Sequence, residues 1–191
     1  VTMFDVLIIG GFVSGISCAL VLGSATDKNF SVDKHIGVFT LQKSSSLQEA
    51  IFNNAYGIPA GSLGSSLLVE STKHLSQLYP DIAQIPKEKI LRIEGESPDF
   101  TVTTNKNTYK SKIIEVDIGA ANNISIDGIM SFVETHQKSL PEKQRIQLHN
   151  TDHIVAEGIY VVGTLAGWRS QLSIAAGSGA AVATDILTLW N

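Results

Sequence analysis

Residues 4–22 have the sequence FDVLIIGGFVSGISCALVL, and this stretch decides the fold. The apolar run over 6–9 is rich in leucine and β-branched residues, which is typical of a buried strand. Gly10 and Gly11 interrupt that run, and Gly15 leads into a second apolar segment with the pattern of a closely packed helix. The order of strand, glycine turn and helix predicts the start of a parallel α/β sheet.

The glycine spacing is similar to the fingerprint of a dinucleotide-binding βαβ unit. Gly10 and Gly15 occupy the first and third positions of G-x-G-x-x-G, but Phe12 occupies the middle one. In such a unit the pyrophosphate lies on N–H groups at the helix N-terminus, here those of Val13, Ser14 and Gly15. The phenylalanine either turns its ring away from that seat or covers it. Two alternatives follow from this stretch, a nucleotide site or a tight βα turn without a ligand.

The bulk composition excludes several classes of protein. With 191 residues, 43% of them hydrophobic, the chain can bury a sizeable core as one domain. Its net charge of −4 argues against binding to nucleic acid or to an anionic membrane surface. The single cysteine, Cys18, cannot form an intrachain disulfide or a CxxC pair, and its helical position predicts a packing role. No apolar run is long enough for a membrane span and no signal peptide is evident, so we expect a cytoplasmic protein.

A second strand is predicted over residues 35–41, after a polar connection over 23–35. In nucleotide-binding units an acidic residue at the end of this strand binds the ribose hydroxyls. The candidates here are Thr40 and Gln42. Because neither is acidic, a ribose would be held with less charge assistance.

The middle of the chain changes from helical to strand character. Residues 61–79 predict a helix with Ser62 as its N-cap. Three segments around an Asn-Lys-Asn turn then predict an antiparallel meander: 90–93, 100–104 and 108–110. A further buried strand is expected over 113–118, in which we assign Asp117 a structural hydrogen bond. Residues 121–142 predict a short amphipathic helix.

The end of the chain predicts a buried strand over 158–163 and a helix over 170–189. Small residues are concentrated in the first half of this helix: Ala175, Ala176, Gly177, Gly179 and Ala180. They let the helix lie close to another backbone or to a flat ligand.

This closing segment resembles the last strand and helix of the low-molecular-weight thioredoxin reductase family. FDVLIIGG resembles the family's first FAD-binding strand, NNAYGIPAGSLGSSLL its flavin-passing segment, and KIIEVDIGA its A-T-G-A strand. The resemblance implies a three-layer α/β, Rossmann-like FAD/NAD(P)-binding domain. We expect a central parallel sheet with helices on one face and an antiparallel β-meander on the other. The matches are collinear, so residues 1–191 are interpreted as a single FAD-binding domain.

The resemblance also implies a set of residues that would contact FAD, with the flavin near Asn54, Gly57, Thr164 and Gln171. The full set is Gly10, Gly11, Phe12, Val13, Ser14, Gly15, Thr40, Gln42, Asn54, Gly57, Gly119, Gly163, Thr164, Gln171 and Leu172. Four ligand-facing positions depart from the family pattern: Phe12, Thr40, Ile118 and Thr164. No catalytic residue and no metal ligand is assigned.

The family's NADPH domain, with its own glycine motif and redox CxxC, normally lies between the A-T-G-A strand and the final hairpin. Residues 121–142 replace it here and are too few for a nucleotide-binding domain. One cysteine cannot form a dithiol. The sequence therefore does not predict a working thioredoxin reductase.

Two functions stay open. The first is a single-domain flavoprotein that binds FAD and, as an oxidoreductase, takes electrons from a redox partner protein or a diffusible reductant. The second is a cofactor-free relative that serves as a binding or assembly module, because a fold does not fix a function. The family resemblance implies a homodimer in either case.

The histidines and the pair formed by Trp168 and Arg169 are further candidates for a functional role. The five histidines, His35, His74, His136, His149 and His153, show no nucleophile-elbow or metal-ligand spacing, and we expect solvated loop positions. Trp168 and Arg169 either cover a ligand or form a surface lid or dimer contact.

Overall fold

The computed structural model describes residues 3–40, 47–121 and 123–191. The strands are β1 (Met3–Ile9), β2 (Ile36–Phe39), β3 (Ile51–Phe52), β4 (Ser62–Leu63), β5 (Ala83–Ile85), β6 (Ile90–Glu96), β7 (Asp99–Thr104), β8 (Thr108–Val116), β9 (Val133–Thr135), β10 (Ile146–Leu148), β11 (Ile154–Ala156) and β12 (Ile159–Val161). The α-helices are α1 (Val13–Gly23), α2 (Gly64–Leu78) and α3 (Leu172–Trp190). Short 3₁₀ helices span Met130–Phe132, Pro141–Lys143 and Gly163–Ala166.

The central sheet has the strand order β11-β12-β8-β1-β2-β5. β1 lies between β2 and β8 and is parallel to both, while β12 and β5 extend the parallel part on either side. Antiparallel pairing of β6 with β7 and of β7 with β8 forms the meander. These pairings confirm the predicted α/β class with a parallel sheet and an antiparallel β-meander.

The side chains of β1 point alternately to the two faces of the sheet, and this explains why the fold has a layer on each side of it. Val6 and Ile8 pack into a core with the helices, whereas Leu7 and Ile9 pack into a second core with the meander. Because successive side chains of a strand point to opposite faces, a strand buried on both faces consists almost entirely of apolar residues. The predicted three-layer arrangement is therefore confirmed.

α3 lies close against α1, as its small residues predict. The Ser17 hydroxyl donates a hydrogen bond to the carbonyl oxygen of Ala176 at 2.7 Å. A β-carbon at Gly179 would collide with the carbonyl oxygen of Ser14. The sequence leaves open whether these small residues admit another backbone or a flat ligand. At Gly179 it is another backbone, that of Ser14.

Three sequence predictions of local structure are wrong. α2 begins at Gly64, and Ser62 lies instead in β4, where its hydroxyl donates to the carbonyl of Pro59. The helix expected over 121–142 is replaced by a 3₁₀ turn and β9, because Ile126 and Ile129 are buried under the meander and Asp127 bridges to β6. The last meander strand and the buried parallel strand are one continuous strand, β8.

α3 also departs from one expectation based on composition. It contains an 18-residue window with a mean hydropathy of 1.5, so by length and composition alone it could cross a membrane. Val182, Ala183 and Ile186 face the helix-side core. A single apolar helix of this kind is weak evidence for a membrane, and the cytoplasmic location stays a prediction.

Candidate functional site

The glycine turn between β1 and α1 is shaped by its neighbouring backbone. Gly10 has a φ of +120°, and a β-carbon there would collide with the carbonyl of Asp117. A β-carbon at Gly11 would lie 3.0 Å from the carbonyl oxygen of Phe39. The ends of β1, β2 and β8 thus meet at this turn, and their proximity alone requires glycine at position 10 and favours it at position 11, without a cofactor.

The N-terminus of α1 is capped by a side chain from the far end of β8. Asp117 follows that strand directly, and its N–H donates to the carbonyl of Ile9 at 2.8 Å. Its carboxylate accepts a hydrogen bond from the N–H of Gly15 at 2.7 Å and another from the N–H of Ser14. Phe12, the N-cap residue, makes no side-chain capping bond. The predicted structural hydrogen bond of Asp117 is confirmed, and its partner is the helix end that a pyrophosphate would use.

A second buried carboxyl group lies beside the first. Glu115 is two residues before Asp117 and on the same face of the sheet, since β8 alternates. Both of its carboxyl oxygens are buried without a hydrogen-bond partner within the described residues. Burial, reinforced by Asp117, raises the pKa of Glu115 well above its usual value. Burial also raises the pKa of Asp117 to about 7, although the N–H groups of Gly15 and Ser14 oppose this shift. Burial thus favours the neutral form of both carboxyl groups.

Cys18 lies on α1 over this pair. It is fully buried, and burial together with Glu115 and Asp117 raises the pKa of its thiol well above the usual value. A thiol of this kind is not a nucleophile at neutral pH. Cys18 is therefore a packing residue, as the sequence predicts.

A cavity of about 470 Å³ lies where the N-termini of α1 and α3 approach α2. Most of its wall is aliphatic or aromatic, and it includes Phe12, Val13, Leu20, Tyr56, Leu68 and Leu172. Three serines, Ser17, Ser71 and Ser173, also line it. Its volume and its apolar wall with a few polar groups are typical of a small-molecule site.

The cavity gathers only part of the residue set predicted from the sequence. Phe12, Val13 and Leu172 lie in its wall. Asn54 and Gly57 are exposed in the segment that contributes Ala55, Tyr56 and Ile58 to the wall.

The other predicted residues lie around the two helix ends. The N–H of Gly163 donates to the hydroxyl of Ser178 at 2.8 Å, and Thr164 continues the 3₁₀ turn that begins there. Gln171 is the exposed N-cap residue of α3 and makes no side-chain capping bond. Gly119 has a φ of +74° and open space beside it.

At the end of β2, the N–H of Thr40 donates to the carbonyl of Ile85 at 3.0 Å. Gln42 lies outside the described residues.

The sequence interpretation missed Glu115, and it missed the partner of Asp117. The available signal was two acidic residues in a strand otherwise made of isoleucine and valine, because buried carboxyl groups need partners or a shifted pKa. Asp117 also occupies the first alanine position of the A-T-G-A pattern. A carboxylate there has no counterpart in that pattern.

Two of the histidines are not solvated. His153 is buried, its Nδ1 lies 2.8 Å from the carbonyl oxygen of Val161, and its ring stacks on Trp168 with centroids 6.0 Å apart. His136 is also buried, so the expectation of solvated positions is wrong for both.

The ammonium of Lys138 lies 4.4 Å from the Trp168 ring centroid, and Arg169 donates to the carbonyl of Lys138. Trp168 and Arg169 thus contact the segment around residue 138, and neither belongs to the cavity wall.

Comparisons with known proteins identify the fold. No protein-family model matches the chain, and no curated protein matches its sequence. Among solved structures, an oxidoreductase from Agrobacterium tumefaciens superposes with a TM-score of 0.73 at 13% identity, covering 97% of each chain. A ferredoxin-flavin thioredoxin reductase from Clostridium acetobutylicum gives 0.68 at 15% identity, covering 98% of each chain. A thioredoxin reductase from Gloeobacter violaceus gives 0.73 at 12% identity, covering 98% of this chain and 95% of that one. This chain therefore has the fold of the thioredoxin reductase-type FAD/NAD(P)-binding proteins.

Proposed function

We propose that this chain is a flavin-binding protein whose cavity between α1, α2 and α3 accepts the tricyclic flavin ring. The observation that supports the proposal is the apolar cavity of about 470 Å³ at the N-termini of α1 and α3. Three residues that the sequence assigns to FAD contact, Phe12, Val13 and Leu172, are in its wall. The fold is also that of thioredoxin reductase-type proteins, among them a ferredoxin-flavin thioredoxin reductase.

The two halves of FAD fit this chain differently. The flavin ring is flat and largely apolar, which suits the cavity wall. The diphosphate needs free N–H groups at the start of α1, and those of Ser14 and Gly15 already donate to Asp117. At the ribose position Thr40 offers a hydroxyl in place of a carboxylate. The ring half fits the residues present, and the diphosphate half does not.

The residues of the cavity would hold the ring and keep it dry. Leu20 and Leu68 would supply apolar contacts to the ring, and Ser71 and Ser173 could offer hydroxyls to its polar atoms. The start of α3 at Leu172 contributes the positive end of a helix dipole, which favours electron density on the ring. A bound flavin supplies electron-transfer chemistry, whereas the protein supplies orientation and electrostatics. In the catalytic form of this proposal, a redox partner protein or a diffusible reductant supplies the electrons.

The second candidate is a cofactor-free binding or assembly module. It is favoured by exposed apolar side chains near the cavity, since Tyr56 is fully exposed and Ile51 and Val69 are each more than 60% exposed. Such a group of side chains is a candidate protein contact. A homodimer built on this surface is the form of assembly that this candidate proposes.

Equilibrium dialysis of the full chain against riboflavin tests the first candidate. We expect saturable binding that Ser173→Trp reduces by at least about tenfold, because the indole occupies the cavity. Ala181→Trp is the matched control, since Ala181 is exposed on the same helix and is not part of the cavity wall. Absence of saturable binding to the unmodified chain would overturn the flavin proposal and leave the cofactor-free module.

A further inference from the structure

We infer that Asp117 is a specificity-determining residue, because its carboxyl group occupies the diphosphate position of the fold and restricts the chain to flavins without the ADP half. This inference rests on the proposed function, because it names the class of ligand that the cavity accepts. It predicts that riboflavin binds and that FAD is discriminated against. The argument depends on the position of the carboxylate, on how firmly it is held, and on where the cavity ends.

The carboxylate occupies the position that an incoming phosphate needs. At the start of a helix the first N–H groups lack intrahelical partners and carry partial positive charge. In α1 two of these groups, at Ser14 and Gly15, donate to the Asp117 side chain. A diphosphate would therefore lose two donors and face a carboxylate where it needs positive charge.

Asp117 is held so that it cannot easily turn aside. Its N–H is bonded to Ile9, and its carbonyl fills the space where a side chain at Gly10 would be. On the other side, a β-carbon at Gly163 would lie 3.5 Å from Asp117 Oδ1. The residue is only 4% exposed. Rotating the carboxylate away from Gly15 would leave it buried without partners, which is strongly unfavourable.

Within the described residues, no lysine or arginine forms an ion pair with Asp117 or Glu115. Glu115 faces the same side of β8 as Asp117 and is fully buried. Cys18, on α1 above the pair, is a buried thiol whose pKa both carboxyl groups help to raise. A diphosphate here would add negative charge to a pair of buried acids. The environment beneath α1 thus holds two buried acidic groups and disfavours any further negative charge.

The cavity and the capped helix end meet at Phe12 and Val13, which are the N-cap and the first residue of α1. A flavin ring in the cavity would direct its ribityl chain toward this end. Riboflavin finishes there with a hydroxyl group, whereas FAD continues with a diphosphate next to the Asp117 cap. Only FAD would therefore bring a phosphate group next to Asp117, and this residue distinguishes the two ligands.

The experiment measures riboflavin, FAD and ADP binding by calorimetry, using the full chain and three variants. Asp117→Ala removes the anion and restores the residue type of the A-T-G-A pattern. Asp117→Asn removes the charge but keeps an acceptor for Gly15. Asp81→Ala, at an exposed position, is the control for net charge. ADP probes the diphosphate seat without a flavin ring.

In the unmodified chain we expect riboflavin to bind at least about tenfold more tightly than FAD. Asp117→Ala should raise FAD and ADP affinity at least about tenfold and change riboflavin affinity less than about twofold. Asp117→Asn should give a smaller gain, and Asp81→Ala should give none. Circular dichroism of each variant establishes that the chain is still folded.

The inference is overturned if the unmodified chain binds FAD as tightly as riboflavin, or if folded Asp117→Ala gains no affinity for ADP or FAD. Failure of the unmodified chain to bind riboflavin overturns the proposed function instead. In that case the role of Asp117 is judged by ADP alone, where a gain specific to Asp117→Ala supports it and no gain refutes it.

Discussion

The carboxylate of Asp117 accepts a hydrogen bond from the N–H of Gly15 at 2.7 Å, although 102 positions separate the two residues in sequence. This contact joins the end of β8 to the start of α1 and replaces a local cap, since Phe12 has no side-chain acceptor. The close approach of β8 to α1 at this contact also explains why glycines occur in the turn, without a bound nucleotide. Four predictions follow from this contact and from the packing around it.

Asp117→Ala should lower the free energy of unfolding at pH 7 by about 1–2 kcal/mol, the usual cost of losing a helix cap. Asp117→Asn should lower it less, because the amide oxygen can still accept from Gly15. Urea denaturation monitored by circular dichroism measures both. Equal stability of Asp117→Ala and the unmodified chain would show that the carboxylate does not cap α1.

Glu115→Gln should stabilise the chain at pH 8 and have little effect at pH 5. The pKa of Glu115 is raised by burial, so the folded state keeps a proton that the unfolded state releases. Stability then falls as the pH rises above the unfolded pKa, by up to about 1.4 kcal/mol per pH unit until the folded group ionises. Asp117, with a pKa raised to about 7, adds a fall of the same sign between about pH 4 and pH 7.

Urea denaturation at the two pH values measures the effect of Glu115→Gln. Glu157→Gln, at an exposed position, is the control and should change neither value. A stabilisation of Glu115→Gln that is as large at pH 5 as at pH 8 would contradict a protonated Glu115 in the fold.

Gly179→Ala and Gly177→Ala should have opposite effects although they are one helical half-turn apart. A β-carbon at Gly179 meets the backbone of Ser14, so the substitution should cost about 2–3 kcal/mol by forcing α3 away from α1. At Gly177 nothing lies within 4 Å, and alanine should add about 0.5–1 kcal/mol through its helix propensity. Thermal denaturation distinguishes the two, and equal shifts would show that α1 and α3 are not in close contact.

Cys18 should react with a disulfide reagent only when the chain unfolds. Its thiol is fully buried and its pKa is raised, so both access and thiolate formation are suppressed. Labelling followed over time should match the rate of unfolding, whereas a cysteine introduced by Ser173→Cys should label at once. Rapid labelling of Cys18 in the native chain would contradict its burial.

The sequence predicts the parts of this fold that depend on local pattern. The run before Gly10, the meander around its Asn-Lys-Asn turn and the final helix follow from hydrophobic periodicity and turn residues, which report local structure directly. The structure of residues 121–142 is not predicted by this local pattern. Ile126 and Ile129 have helical spacing, yet they are buried because the segment crosses under the meander.

The site is predicted less completely than the fold, for a related reason. A glycine turn indicates where a phosphate would lie. The sequence also assigns Phe12 to the residues that contact a ligand, and Phe12 lies in the cavity wall. The sequence predicts a structural hydrogen bond for Asp117 but not its partner, since nothing local in either segment indicates that β8 ends over α1. The sequence interpretation omits Glu115, although an acidic residue within the apolar run 113–118 is itself a signal of a buried carboxyl group.

β8 belongs to two layers at once, since it pairs antiparallel with β7 and parallel with β1 and β12. A strand shared in this way couples the opening of the meander to the opening of the parallel sheet. Amide protons on both sides of β8 should therefore exchange with solvent in a single cooperative step. Any partner that pulls on the meander would also loosen the carboxyl group that holds the start of α1.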